Sequence, residues 1–119
     1  MNKNSNIGFI GLGNMGKPIF DNLNKNFSNI FCFDKDTSKL KKNNSSSLIE
    51  IFEKCKIIIF CIESNEQIID IMKENKIKKN TVIVDLTSSL PDLTKKISSY
   101  LKKFESHYID AGMSGGASG

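Results

Sequence analysis

The chain has no tryptophan, no arginine and one histidine, His107, among its 119 residues. Its three cysteines, Cys32, Cys55 and Cys61, form no CxxC pair and lie far from that histidine in sequence, so neither a zinc site nor a disulfide framework is indicated. Cys32 and Cys61 sit inside apolar runs, where a free thiol behaves as a small hydrophobe. Nucleic-acid grooves favour arginine for bidentate and stacking contacts. Here the net charge of +4 comes from 17 lysines against 13 acids, and those lysines are scattered without interleaved aromatics. They read as solvated faces, and no nucleic-acid partner is expected. Long apolar runs are also missing. The longest, Ile57 to Ile62, has six residues, whereas a bilayer-spanning helix needs about 20. The polar start Met1 to Asn6 leads into no signal-peptide core, so the expected compartment is the cytoplasm, with no membrane partner. What remains is ordinary globular usage, 39% hydrophobic and 25% charged, in one domain's worth of chain, residues 1–119.

Short apolar runs alternate with helical patterns. Ile7 to Ile10 reads as a buried strand ending in glycines, followed by a helix from Asn14 to about Lys25 in which Met15, Ile19 and Leu23 recur every four residues, widened by Phe20 and Phe27. A strand at Ile30 to Phe33 leads into a polar stretch, Asp34 to Ser47, with room for one or two helical turns. Leu48, Ile49, Ile51 and Phe52 mark a short helix capped by Ser46 or Ser47. Strands follow at Ile57 to Ile62 and Thr81 to Val84, with a helix on Ile68, Ile69, Ile71 and Met72 between them. Leu93, Ile97, Leu101 and Phe104 line a helix opened by Pro91 and Asp92, and Tyr108-Ile109 makes a last strand. Strands alternating with helices imply a parallel sheet with right-handed crossovers, hence a doubly wound, Rossmann-type α/β fold in a single domain.

Gly11-Leu12-Gly13-Asn14-Met15-Gly16 is a GxGxxG set placed directly after the first strand and opening the first helix. In that context the first glycine permits a tight turn, the second lets backbone approach a pyrophosphate, and the third lets helix pack on strand. Asp34 ends the second strand 18 residues after Gly16 (34 − 16), the separation of an acid that accepts from a ribose diol. A carboxylate there repels the 2′-phosphate of NADP and accepts from the hydroxyls of NAD, so NAD is the expected cofactor. Lys35 offsets part of that repulsion and keeps NADP open. A plainer reading makes Asp34 a cap for the following turn.

The stretch Ile7 to Pro18 resembles the opening of the β-hydroxyacid dehydrogenases, the family of 3-hydroxyisobutyrate, tartronate semialdehyde and 6-phosphogluconate dehydrogenases. Asp110-Ala111-Gly112-Met113-Ser114-Gly115-Gly116 resembles that family's substrate signature, with Gly112 and Met113 replacing the usual proline and valine. The resemblance implies that Ser114, Gly115 and Gly116 bind substrate. It implies that Ile62 and Glu63 replace a Leu-Pro pair beside the nicotinamide ribose, where a glutamate needs exposure or a partner. It also implies that Gln67 contacts the cofactor and that Ser88, in Asp85-Leu86-Thr87-Ser88, lies near the nicotinamide. For Thr87, Ser88 and Ser89 a helix cap is the competing reading.

The function implied is an NAD(P)-binding domain of an oxidoreductase that moves hydride between nicotinamide and a small 3-hydroxy acid, in a full-length form that is a homo-oligomer. In this family the general acid/base is a lysine on a helix after the substrate signature, followed by a helical domain. With the chain ending at Gly119, the expectation is that the C-terminal helical domain is absent, that no catalytic residue lies within 1–119, that this chain alone is inactive, and that apolar surface around Tyr108 and Ile109 is left uncovered. The alternative is a non-catalytic nucleotide-binding module or gene remnant.

Overall fold

Strands buried on both faces must be apolar at nearly every position, which is why the Ile- and Phe-rich runs become the sheet. The computed structural model describes residues 5–40, 44–87 and 91–112. Its strands are β1 (Ile7–Ile10), β2 (Ile30–Phe33), β3 (Ile57–Phe60), β4 (Val82–Asp85) and β5 (His107–Asp110). Its helices are α1 (Gly16–Asn26), α2 (Leu48–Lys54), α3 (Asn65–Glu74) and α4 (Pro91–Lys102), with a 3-10 turn at Thr37–Lys39. All strand pairs are parallel, in the order β2-β1-β3-β4-β5. The doubly wound Rossmann-type sheet is therefore present. Among the described residues no helix is long and apolar enough to cross a membrane.

The polar stretch after β2 does more than turn. It contains the short 3-10 turn, and then Ser45 bridges Cys32 in parallel. Cys32 N–H donates to Asn44 O at 2.7 Å, and Ser46 N–H donates to Cys32 O at 2.9 Å. This single bridge occupies the outer edge of β2 and saturates donors and acceptors that an edge strand would otherwise expose. Counted as a strand position, it extends the order to the 3-2-1-4-5-6 arrangement of dinucleotide-binding sheets.

Register sorts the side chains onto two faces. Ile7, Phe9, Ile30 and Cys32 are buried under α1, where the Phe9 and Phe20 rings meet at 5.8 Å. On the other face Ile10, Ile58, Phe60 and Ile83 pack against Ile51, Phe52, Ile68, Met72, Ile97 and Leu101 of α2, α3 and α4. Each such buried side chain contributes about 1.5–3 kcal/mol relative to its exposed state. On the α1 side exposure grows across the sheet: Ile57, Ile59, Val82 and Val84 are half-buried and Ile109 is 50% exposed. The uncovered surface expected at Tyr108 and Ile109 thus holds for Ile109 alone. Tyr108 pairs in register with Ile83 and packs on the opposite, helix-covered face.

Local boundaries differ from the apolar pattern where polar geometry intervenes. Met15 is 47% exposed and serves as the N-cap position of α1, so it does not belong to that helix's apolar stripe. Strand β3 stops at Phe60, leaving Cys61 and Ile62 in the following loop. Of the two serines offered as a cap for α2, Ser47 is the one used. It forms a reciprocal capping box with Glu50, whose carboxyl is held below its ordinary range by those hydrogen bonds from Ser47.

Candidate functional site

The C-terminal ends of the strands bring the glycine loop, Asp34 and the loop after β3 together. Gly11 lies in the left-handed region at φ 107°, and its N–H donates to Phe33 O at 2.9 Å. A Cβ on Gly11 would stand 2.1 Å from Cys61 O and 2.9 Å from Ile62 Cγ2, so the loop after β3 lies directly against this turn. A Cβ on Gly16 would meet Gly11 O at 2.1 Å. Around Gly13 a Cβ would meet nothing within 4 Å. The three glycines therefore divide as the motif predicts: a tight turn at positive φ, an open approach and a tight packing point. Gly8, outside the motif, is also constrained, since a Cβ there would lie 2.4 Å from Ile51 Cγ2 where α2 crosses β1.

The open side of the loop is a cleft of about 300 Å³ lined by Leu12, Gly13, Asn14, Lys17, Pro18 and Lys39. Glu50, Glu66 and Asp92 place an acid in the first turns of α2, α3 and α4, but the first turn of α1 has none. The positive end of the α1 dipole therefore faces no acid in its own first turn, while within that turn Lys17 N–H donates to Gly13 O at 3.0 Å and Pro18 carries no N–H. Lys17 and Lys39 add cationic charge at the same cleft, Lys17 also pairing with Asp21 at 3.1 Å. Neither lysine stands out in the sequence. Lys17 looks like a surface helix residue, and the 3-10 turn alone folds Lys39 back beside the glycine loop.

Asp34 is half-buried, and both its oxygens are engaged. Oδ2 accepts from Leu12 N–H at 2.7 Å, and Oδ1 accepts from Asp36 N–H at 2.8 Å. The acid at the end of β2 is thus tied to the glycine loop itself, a role its spacing did not reveal. Each carboxylate oxygen has about two acceptor sites, which leaves capacity for a diol. The Oδ1 bond from Asp36 N–H is also an Asx-type cap, so Asp34 caps the following turn as the plainer reading has it. Asp36 then caps the 3-10 turn, accepting from Ser38 Oγ–H at 2.7 Å and Ser38 N–H at 3.1 Å, which lowers its carboxyl below the usual range. Lys35, Asn14 and Glu63 are exposed, and Gln67 is half-buried on the first turn of α3. Exposure resolves the difficulty of a glutamate at position 63. Ser88, Ser114, Gly115 and Gly116 lie outside the described residues.

The sequence pattern did not reveal a polar network beside this loop. Asp85 is fully buried at the end of β4, with Oδ1 accepting from Thr87 N–H at 2.8 Å and Oδ2 accepting from the Tyr108 hydroxyl. Thr87 Oγ1 in turn accepts from Ile62 N–H at 3.2 Å. Burial and the Asp85 carboxylate raise the Cys61 thiol, and burial pushes Cys55 up to about 11, so both favour the neutral thiol. Among the described residues no group of three or more His, Cys, Asp or Glu could hold a metal ion.

Residues 6–119 match the sequence model of a family described as the NAD binding domain of 6-phosphogluconate dehydrogenase. Mitochondrial 3-hydroxyisobutyrate dehydrogenase of Mus musculus is 29% identical over 121 residues, covering 92% of this chain and 36% of that protein. The 2-(hydroxymethyl)glutarate dehydrogenase of Eubacterium barkeri is 31% identical, covering 100% of this chain and 43% of that protein. This chain therefore spans well under half the length of either relative. Among solved structures, 3-hydroxyisobutyrate dehydrogenase of Mycobacterium tuberculosis with L-serine superposes with a TM-score of 0.78 at 17% identity, covering 96% of this chain and 43% of that one.

Proposed function

Because the chain belongs to the family of NAD-binding domains of 6-phosphogluconate dehydrogenase, we propose that it binds NAD in preference to NADP and serves an oxidoreductase acting on a small 3-hydroxy acid. The observation that carries the reading is the open face of Gly13 between the acid-free first turn of α1 and the Asp34 carboxylate. A pyrophosphate at Gly13 would meet the backbone N–H groups of the turn from Asn14 to Gly16 that opens α1, and the charges of Lys17 and Lys39. The adenosine ribose would then reach Asp34, whose remaining acceptor sites suit a diol and whose charge disfavours a 2′-phosphate, with Lys35 beside it. The other half of the dinucleotide would run across the strand-order reversal between β1 and β3 toward Ile62, Glu63 and Gln67. Ser88 would follow on the β4 side, and Ser114, Gly115 and Gly116 would hold the substrate acid. When bound, the cofactor supplies the hydride acceptor; the residues named here bind and orient it.

The reading is tested by calorimetric titration of the chain with NAD and with NADP, alongside Asp34→Ala. NAD is expected to bind more tightly, and the substitution to narrow the difference. Equal or tighter binding of NADP by the unaltered chain would overturn the preference, and no binding of either would overturn the site.

A further inference from the structure

Gly11 and Asp34 sit at the β1–β2 side of the sheet edge, and they account for only one half of a dinucleotide. The other half must pass the loop that follows β3, because that loop abuts Gly11 so closely that a Cβ there would lie 2.9 Å from Ile62 Cγ2. The backbone of that loop is anchored from β4. Ile62 N–H donates to Thr87 Oγ1 at 3.2 Å, and Thr87 N–H donates to Asp85 Oδ1 at 2.8 Å. The second oxygen of Asp85 accepts from the Tyr108 hydroxyl of β5. Thr87 is 2% exposed and Asp85 0% exposed, so the network is shielded from water, and a buried donor left without its acceptor carries a desolvation cost. Gly112 belongs to the same corner: a Cβ there would be 2.9 Å from Thr87 O, and Ala111 N–H donates to Asp85 O at 2.9 Å. One carboxylate thus connects the loop after β3 with the end of β5.

We infer that Thr87, oriented by Asp85 and Tyr108, is a positioning residue that sets the height of the Ile62–Glu63 backbone for the nicotinamide half of the cofactor, while leaving the adenosine half untouched. The inference rests on the dinucleotide reading above and adds to it a group that holds the pocket without lining it. A helix cap for α4 would give Thr87 no reason to reach across to β3, whereas the bond to Ile62 does reach across, 25 residues away in sequence.

The test uses the 119-residue chain and two probes, NADH and ADP-ribose, which share the adenosine and pyrophosphate but differ in the nicotinamide. Thr87→Val keeps the shape and removes the acceptor. NADH is expected to bind about three- to tenfold more weakly, the range of one lost hydrogen bond, with ADP-ribose unchanged within about twofold and Thr87→Ser restoring NADH affinity. Equal weakening of both probes, no change in either, or failure of serine to restore binding overturns the inference while the dinucleotide reading stands. If the unaltered chain binds neither probe, both fall. A measurement on the unaltered chain guards against a valine variant that does not fold: the Ile62 amide should exchange with solvent far more slowly than that of the neighbouring exposed Glu63, and equal rates would remove the anchor on which the inference depends.

Discussion

Replacing Gly13 and Gly16 one at a time by valine separates the cofactor's requirement for a glycine from the fold's. At Gly16 the new Cβ would lie 2.1 Å from Gly11 O and 3.0 Å from Gly11 C. Both are backbone atoms of a turn itself wedged against Cys61, so neither can swing aside as a side chain would. Overpacking of this kind costs about 3 kcal/mol. Reduced freedom of the unfolded chain returns about 0.4–1 kcal/mol. The net loss of about 2 kcal/mol lowers Tm by roughly 6–12 °C at this chain length. At Gly13 a Cβ meets nothing within 4 Å, and the backbone is not in the left-handed region, so Tm should move by no more than a few degrees. The same Cβ occupies the space a pyrophosphate needs, and NAD binding should be lost. Thermal melts by circular dichroism and calorimetric titration read the two effects separately. The assignment of roles is refuted if Gly13→Val melts lower than Gly16→Val, or if Gly13→Val binds NAD as the unaltered chain does.

Other expectations follow from the same contacts. Asp34→Ala frees the N–H groups of Leu12 and Asp36, so a stability loss of about 1–2 kcal/mol should accompany its change in cofactor preference; a shift in preference with an unchanged Tm would show that the loop does not depend on the carboxylate. Ile83→Ala, at a fully buried position, should cost about 2–5 kcal/mol, whereas Ile109→Ala, 50% exposed on the neighbouring strand, should cost less than about 1, as judged by urea denaturation. With its thiol pushed up to about 11, Cys55 should resist iodoacetamide at pH 8, where about one thiol in a thousand is ionised, and should react readily once the chain is unfolded in urea. Rapid labelling of native Cys55 would show that the site opens. The carboxyl of Glu50 is lowered by Ser47, so the stability it gives α2 is complete above the ordinary glutamate range and is lost as pH falls through the lowered value. Ser47→Ala should flatten that part of the acid-denaturation curve.

The sheet and the glycine loop could be read without coordinates, because both rest on local chemistry. Strands buried on two faces must be apolar throughout, helices carry their apolar residues at three- and four-residue spacing, and the turn at Gly11 needs a residue that tolerates φ 107°. The placement of Asp34 at the end of β2 was legible for the same reason, being a fixed number of residues from a motif on the neighbouring strand. Side-chain direction and long-range partnership were not. Met15 matched the helical period yet stands outside the helix, and Tyr108 and Ile109, adjacent in sequence, fall on opposite faces with opposite exposure because a strand alternates. The bridge of Ser45 to Cys32 shows no hydrophobic pattern, since backbone hydrogen bonds at an edge ask little of side chains. The bond from Asp34 to Leu12 crosses 22 residues, and the one from Ile62 to Thr87 crosses 25. Such pairs exist only once parallel strands bring their C-terminal ends side by side, and so the tertiary structure alone decides which polar groups hold the site in place.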